Sequence, residues 1–584
     1  MYGLSEDRRD LFDNNTEALL NYDYTVKKFL NLSGLVGGNF RDFSYNSSWV
    51  STNYLNVPGV YAFSNSENAL QATSFSSYMM VASAFYSLDA SFGKYATLSS
   101  TGRVDKTSAF QVPTTYYYPS LSLASVVSDY IEMPKFITFL KVRASYSNVR
   151  ADETSPTIGP APFSSITAFG GSTGPSLYDN PLDYGATYLS PYNGPNYALN
   201  PSYSTSKPYN NQTAGYSTTS LYQSNIQTST RVNYEEGFDA KFLQNRLGLS
   251  ATAFQYIDGP QILANPVATS TGYTTEYLNA LKTRKTGQEV SLSGLPVKSS
   301  DFSWSVLVNW SRFQQYFEKL PAGQTSYAYN GGYVSVGDRT DEFFGTAFVR
   351  TKTGQIINNA NGTPMVNPVN QFLGNANADY SWTIANNFTY KQFNFGFQFD
   401  GSVGGHMIDY MHLKTTVGGS NAITAEGAIG AARYQDWLNY GKPGYKGTYV
   451  GPGVVISNGV APNYDSKTGQ ILNYSSLQFA PNTQTAFIQG YVSSYYNVDE
   501  ANLMSKTYAE LREVTFGYSF PKKWLEKSFI STATASIYGR NLLYFYADKE
   551  FEDVDLNQYN GTTGQSVLQS PTIRSYGINF KLTF

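Results

Sequence analysis

The chain has 584 residues, of which 14% are charged and 16% aromatic, led by 50 Tyr and 37 Phe, and its formal net charge is -3. That balance offers no basic field for nucleic acid, and the absence of cysteine excludes a disulfide framework, thiolate catalysis and thiolate metal sites. No stretch approaches the ~18 consecutive apolar residues of a transmembrane helix. A membrane-spanning form must then be a closed β-barrel, because lipid cannot satisfy the open edges of a sheet.

The opening MYGLSEDRRDLFDNN is polar and has no apolar signal core. An exported chain of this kind is expected to have lost its signal or to be the C-terminal piece of a longer one. The first alternating pair is Leu20 to Val26 with Phe29 to Val36, across a Lys27-Lys28 turn. Tyr78 to Leu88 with Tyr95 to Val104 follows, then Tyr116 to Val127 with Phe139 to Val149. Val232 to Phe242 and Leu247 to Tyr256 flank the turn Leu243-Gln244-Asn245-Arg246. Further pairs are Gly287 to Leu295 with Phe302 to Trp310, Trp382 to Tyr390 with Phe393 to Val403, and Tyr508 to Phe520 with Thr532 to Asn541.

The last segment shows the pattern most clearly. Tyr576, Ile578, Phe580, Leu582 and Phe584 fall on one face, and Gly577, Asn579, Lys581 and Thr583 on the other. A strand has two faces, and in a barrel the apolar one meets lipid while the polar one meets a wet lumen. Ten residues at ~3.3 Å, tilted by ~45°, cover about 24 Å, close to the ~25 Å apolar band. These segments predict an all-β, antiparallel transmembrane barrel of about 15 strands over residues 1–584.

The connections inside pairs are short. Those between pairs are long: 38–77, 105–115, 150–231, 258–284, 313–380, 405–507 and 542–572. Outer-membrane barrels sort their loops in this way, with short periplasmic turns and long extracellular loops. The long loops are rich in Tyr, Asn, Gly and Ser. Tyr203, Tyr209, Tyr216 and Tyr222 are candidates for gripping a substrate, since tyrosine offers an apolar face and a hydroxyl. Simple solvation of these loops explains them equally well. Tyr116, Tyr117, Tyr146, Trp304, Trp310, Tyr390 and Tyr518 sit at strand ends and read as an interfacial girdle.

Reactive chemistry finds little support. His406 and His412 are the only histidines, and Asp409 is their sole close carboxylate, too few ligands for a metal. Asp553, Asp555 and Asn557 have the spacing of a Ca²⁺ loop but lack the glycine and the terminal Glu, so Ca²⁺ is a weak candidate and an acidic turn the plainer reading. Asp548/Glu550 and Glu552/Asp553 read as solvated charge rather than a glycosidase pair. No catalytic residue and no cofactor is expected.

Several segments together resemble the SusC/RagA family, the TonB-linked outer-membrane transporters of Bacteroidetes. Gly102-Arg103-Val104-Asp105-Lys106-Thr107-Ser108-Ala109-Phe110 is similar to one of its signatures. So are Tyr118-Pro119-Ser120-Leu121-Ser122-Leu123 and Phe139-Leu140-Lys141-Val142-Arg143-Ala144-Ser145-Tyr146, although Ser147 stands where the family has glycine. Tyr234-Glu235-Glu236-Gly237-Phe238, Asn245-Arg246-Leu247, Thr286 to Gly294, Phe302-Ser303-Trp304 and Asn309-Trp310-Ser311 continue the likeness. Leu373-Gly374-Asn375-Ala376-Asn377-Ala378-Asp379-Tyr380, Leu511 to Pro521, Gly539-Arg540-Asn541-Leu542 and Pro571 to Phe584 complete it, in the family's order.

The resemblance implies a barrel of about 22 strands behind a plug domain. The plug, the TonB box and the first strands are not visible in this sequence, which implies the C-terminal portion of a transporter integral to the bacterial outer membrane. It further implies a SusD-like surface lipoprotein as partner, TonB acting through the missing plug, and an oligosaccharide or oligopeptide as cargo. The terminal strand, Tyr576 to Phe584, resembles the signal read by the barrel-insertion machinery. Two competing readings are an outer-membrane structural or assembly subunit without import, and a soluble glycan-binding β protein at the cell surface.

Overall fold

The computed structural model describes residues 4–52, 54–108, 115–151, 203–204, 215–217, 219–223, 226–548, 556 and 572–584. Fifteen long strands occur among the described residues. They are β1 (Ser5–Lys27), β2 (Leu30–Ser51), β3 (Gln71–Phe92), β4 (Ala96–Thr107), β5 (Thr115–Val126), β6 (Ile137–Ala151), β7 (Ser229–Phe242) and β8 (Leu247–Pro266). Then come β9 (Thr275–Lys298), β10 (Phe302–Lys319), β11 (Tyr380–Tyr390), β12 (Phe393–Val403), β13 (Tyr508–Ser519), β14 (Thr532–Tyr546) and β15 (Ser575–Thr583). Every strand expected from alternation is present. No helix among the described residues is long and apolar enough to cross a membrane.

The chain divides into two compact units. In the first (residues 1–131, 141–236 and 256–282), β1 to β6 form an antiparallel meander. One row across it reads Tyr24, Leu32, Ala90, Leu98, Leu123, Ala144. The adjacent row reads Asp23, Ser33, Asp89, Ser99, Ser122, Ser145. One face is therefore apolar and the other polar, as a sheet between lipid and water requires.

The second unit (residues 132–140, 237–255 and 283–584) repeats the arrangement with β10 to β15. Trp304, Phe388, Phe395, Phe516, Ile537 and Ile578 lie side by side across six strands. The neighbouring row is Ser303, Thr389, Asn394, Gly517, Ser536 and Asn579. On the last strand, Tyr576, Ile578, Phe580 and Leu582 are 45–73% exposed, although all are apolar or aromatic. A soluble lectin would leave that stripe in water, at a cost that grows with apolar area.

Register shifts on both sides of β13 decide where a charge points. Gln398 pairs with Glu513 and Phe399 with Leu511, which leaves Arg512 as the extra residue. A bulge re-aims a side chain, and Arg512 leaves the parity of Val514 and Phe516 to meet Asp400 on the polar face. Its Nε and Nη2 donate to Asp400 at 3.0 and 2.7 Å, its Nη1 donates to Asn541 Oδ1 at 3.0 Å, and it also contacts the buried Glu510. Asn541 sits at the matching irregularity of β14 with φ +54°. The Leu511 to Pro521 and Gly539 to Leu542 segments thus meet at one ion-paired bulge.

Turns inside pairs are tight. Leu243, Gln244 and Asn245 all have positive φ, so three of the four residues of the expected 243–246 turn use left-handed backbone. The expected connections 38–77 and 258–284 are largely strand instead. β2 runs to Ser51, β3 starts at Gln71, and only 267–274 separates β8 from β9. The apolar band is ~25 Å tall, whereas β1, β2, β3, β8 and β9 have 20–24 residues. Beyond the band neither face meets lipid, so the period-two signal disappears while the strand continues.

Candidate functional site

The connections 320–379 (β10 to β11) and 404–507 (β12 to β13) fold onto each other rather than hanging as solvated loops. Arg339 forks onto Asp341 at 2.8 and 2.7 Å, and its third nitrogen reaches Asp379 Oδ1 at 2.8 Å. Asp341 also accepts from the Asn377 amide at 2.8 Å, so the Leu373 to Tyr380 segment is held by a buried carboxylate. Gly374 has φ +140°, and a Cβ there would lie 2.7 Å from His406 Nδ1. That close approach is why glycine stands in the motif.

Side chains from 404–507 complete the frame. Lys506 Nζ donates to the Ala376 carbonyl at 2.8 Å, and burial depresses its ammonium to about 8. Asp499 accepts from the amide and hydroxyl of Thr346, both at 2.9 Å. Glu500 accepts from the Phe348 amide at 2.7 Å and from Arg350 Nη2 at 2.7 Å. A buried polar network with matched partners resists alternative packings. Apolar clusters fill the space between, one of Phe343, Ala347, Leu373, Ala376 and Ile408 and another of Val349, Ile357 and Val454.

Three helices project from this frame: α1 (Tyr410–Val417), α2 (Gly427–Asn439) and α3 (Ile488–Tyr496). Asp409 caps α1 by accepting from the His412 amide at 2.9 Å. The buried Asp436 on α2 accepts from the Ile488 amide at 2.7 Å and from the Tyr445 hydroxyl. It thereby satisfies one of the orphan N–H groups at the start of α3. Between the helices lies a cavity of about 310 Å³, with Ile429, Ile488 and Val492 lining it together with the aromatic residues Trp437, Tyr440 and Phe487. Trp437 and Tyr440 are 73% and 79% exposed. A second, more polar cavity of about 680 Å³ shares Phe487 and includes Asn361, Thr363, Lys446 and Gln484. Such a site can bind, but it presents no arrangement of nucleophile and base.

The sequence candidates fare unevenly. Tyr203 and Tyr216 lie in two short paired strands, Tyr203–Ser204 and Tyr216–Ser217. Tyr222 stacks on Tyr277, with ring centres 5.0 Å apart and planes 4° apart. Tyr209 lies outside the described residues, as do Asp553, Asp555 and Asn557 of the Ca²⁺ candidate and Glu550 and Glu552 of the acidic pairs. Asp548 accepts from the Ser505 amide at 3.1 Å. His412 shares a 3.1 Å hydrogen bond with Asn502, and His406 belongs to the short strand His406–Ile408. Among the described residues no group of three or more His, Cys, Asp or Glu is placed to hold a metal.

Tyr116 corrects the girdle expectation. It is 1% exposed and packs with Ile226, Tyr118 and Tyr277, while its neighbour Tyr117 is exposed. Adjacent residues on a strand face opposite sides, so both could not belong to the girdle. The helical site was missed because 405–507 reads as one long loop. The signal was nonetheless there: Ile429, Arg433, Asp436, Trp437 and Tyr440 recur at helical spacing and line one cavity.

No protein-family model matches the chain. Over 410 residues (63% of the chain) it is 22% identical to TonB-dependent receptor P3 of Formosa agariphila, of which the match covers 36%. The structure of the RagAB peptide transporter covers all of the chain with a TM-score of 0.60 at 14% identity. The RagAB peptide importer in its open-open state gives 0.61 at 15%. The chain spans 56% and 55% of those two chains. These relatives are receptors and transporters, not enzymes.

Proposed function

We propose that this chain, which shares the fold of the RagAB transporter structures and resembles a TonB-dependent receptor, forms the C-terminal barrel portion of an active outer-membrane importer of oligosaccharides or oligopeptides. In this reading a SusD-like surface lipoprotein presents the cargo, and TonB supplies energy through a plug domain. The barrel-insertion machinery and outer-membrane lipid are its remaining partners. The observation that carries the reading is the ion-paired frame of 320–379 and 404–507 with its aromatic cavity. A receptor gains affinity when its binding surface is held in place before the ligand arrives, and Arg339, Asp341, Asp499 and Glu500 do that here. The peptide cargo of the RagAB structures supports the oligopeptide side of the proposal.

The test is deletion of the gene in its native host, with uptake of labelled oligopeptides and oligosaccharides measured with and without a protonophore. Loss of protonophore-sensitive uptake of at least one oligomer is expected, together with recovery of a SusD-like lipoprotein when the tagged protein is purified from native membranes. Unchanged uptake of every oligomer, with no such lipoprotein recovered, would overturn the reading.

A further inference from the structure

The short turns of the second unit gather basic charge at one end of its sheet. They are residues 241–246, 298–301, 390–393 and 520–531, and backbone hydrogen bonds tie them into one edge. The Leu295 amide donates to the Arg246 carbonyl at 2.7 Å, and the Lys391 amide to the Asp301 carbonyl at 2.7 Å. The Ser519 amide donates to the Gln392 carbonyl at 2.8 Å, and the Ser531 amide to the Thr583 carbonyl at 2.7 Å. Each turn brings a cation: Lys241 and Arg246 in the first, Lys298 and Lys391 in the next two, then Lys522, Lys523 and Lys527. All of these are exposed. The only carboxylates in the same turns are Asp301 and Glu526, although acidic residues outnumber basic ones, 43 to 40, over the whole chain.

Like charges gathered in this way repel one another unless anions join them. Successive hairpin turns stand two strand spacings apart, about 10 Å. That is comparable with the ~8 Å Debye length at physiological salt, so their fields overlap. Neutralisation within the protein is slight. Lys391 lies 4.0 Å from Asp301, whereas Lys298, Lys522, Lys523 and Lys527 have no ion pair or side-chain hydrogen bond among the described residues. The surroundings identify what carries the anion. Lys522–Leu525 make one helical turn that sets Trp524, 67% exposed, against Tyr518 and Phe520. Phe529 is 80% exposed and stacks on Phe584, with ring centres 5.4 Å apart, where the apolar stripe of β15 ends. At the other end of the edge the exposed Leu243 donates its amide to the carbonyl of the equally exposed Phe136 at 2.8 Å. A soluble anion has no use for these rings. A membrane interface takes both features, seating aromatic rings at the headgroup level with cations beside them.

We propose that this edge binds the phosphate groups of anionic glycerophospholipids in the leaflet at the short-turn end, with Lys522, Lys523 and Lys527 beside Trp524 and Phe529 as its strongest part. The proposal rests on the outer-membrane barrel fold and is independent of the cargo.

Lipid retention tests it. The full chain, purified from native outer membranes in neutral detergent, is equilibrated with equal amounts of phosphatidylglycerol and phosphatidylcholine, and the lipids it keeps are measured by native mass spectrometry. Phosphatidylglycerol is expected to be retained about tenfold more at low salt, since each Lys or Arg near an anionic surface contributes about fivefold. High salt should erase most of that preference. The triple variant Lys522→Gln, Lys523→Gln, Lys527→Gln should lower it about fivefold or more. A control triple variant in the long connections, Lys352→Gln, Lys442→Gln, Lys467→Gln, removes the same charge and should keep it. All six side chains are exposed, and an unchanged heat-modifiable band on gels verifies the fold of each variant. Equal retention of the two lipids would overturn the proposal, as would a preference that survives in the first variant or falls as far in the control. Displacement of phosphatidylglycerol by equimolar inorganic phosphate would also overturn it, because the edge would then be a site for a soluble anion.

Discussion

Replacing Arg512 with methionine tests whether the bulge at β13 holds the end of the barrel together. The guanidinium faces Asp400 at 2.7 Å and contacts Glu510, whose carboxylate is 1% exposed. Arg512 and Asp400 are themselves 26% and 16% exposed. Removing the cation takes the shared guanidinium away from two carboxylates on one small patch of polar face. Breaking a buried ion pair from one side costs about 3–5 kcal/mol, because the remaining charge is stranded. With ~2 cal/mol/K of unfolding entropy per residue, a barrel of this size should lose roughly 3 °C of its midpoint. Equilibrium urea unfolding in lipid vesicles measures the free energy, and heat-modifiability on gels measures the midpoint. Adding Glu510→Gln to Arg512→Met should return ~1–2 kcal/mol, since one stranded charge is gone. The loss should persist at high salt, because a buried pair is poorly screened. A single variant as stable as the parent, or a double variant with no recovery, would refute the reasoning.

The 404–507 connection should become harder to cleave as pH rises from about 8 to 10. Burial lowers Lys506 to about 8, against ~10.4 in an unfolded chain. The unfolded state thus binds more protons across that window and stability rises with pH, by up to ~3 kcal/mol. Limited proteolysis against pH should show that slope, and Lys506→Met should flatten it. Above pH 10 the sign reverses, because burial raises Tyr449, Tyr464 and Tyr491 and their ionisation favours unfolding. Phe580→Lys, on the exposed apolar face of β15, should cost ~2–4 kcal/mol if that face meets the middle of the bilayer. Insertion yield into vesicles gives the answer, and an unchanged yield would move that face out of lipid. Phe584 stacks on Phe529 with planes 12° apart. Deleting it should lower the inserted fraction in cells, and unchanged membrane levels would restrict it to that packing role.

Alternation is a local property, and it carried the strands. Tyr576 to Phe584 shows its two faces without reference to any other segment, because lipid on one side and water on the other impose period two on each strand separately. The same holds for Phe393 to Val403 and for the tight turn at 243–246. Register lay beyond the sequence. That Trp304, Phe388, Phe395, Phe516, Ile537 and Ile578 form one row depends on pairing between residues up to 121 positions apart. Arg512 makes the point sharply: by parity it belongs with Phe516, and only the bulge opposite Gln398 and Phe399 sends it to Asp400. The strand extensions of β2, β3, β8 and β9 were hidden because beyond the band no lipid-facing side imposes period two, and residues such as Phe43 and Tyr277 pack against other side chains there. The site was hidden for a different reason. The helical face of Ile429, Arg433, Asp436, Trp437 and Tyr440 could be read locally, but its meeting with Phe487 and Ile488 could not. That meeting depends on Asp436 capping a helix that begins 52 residues later, a contact that exists only once the two long connections have packed.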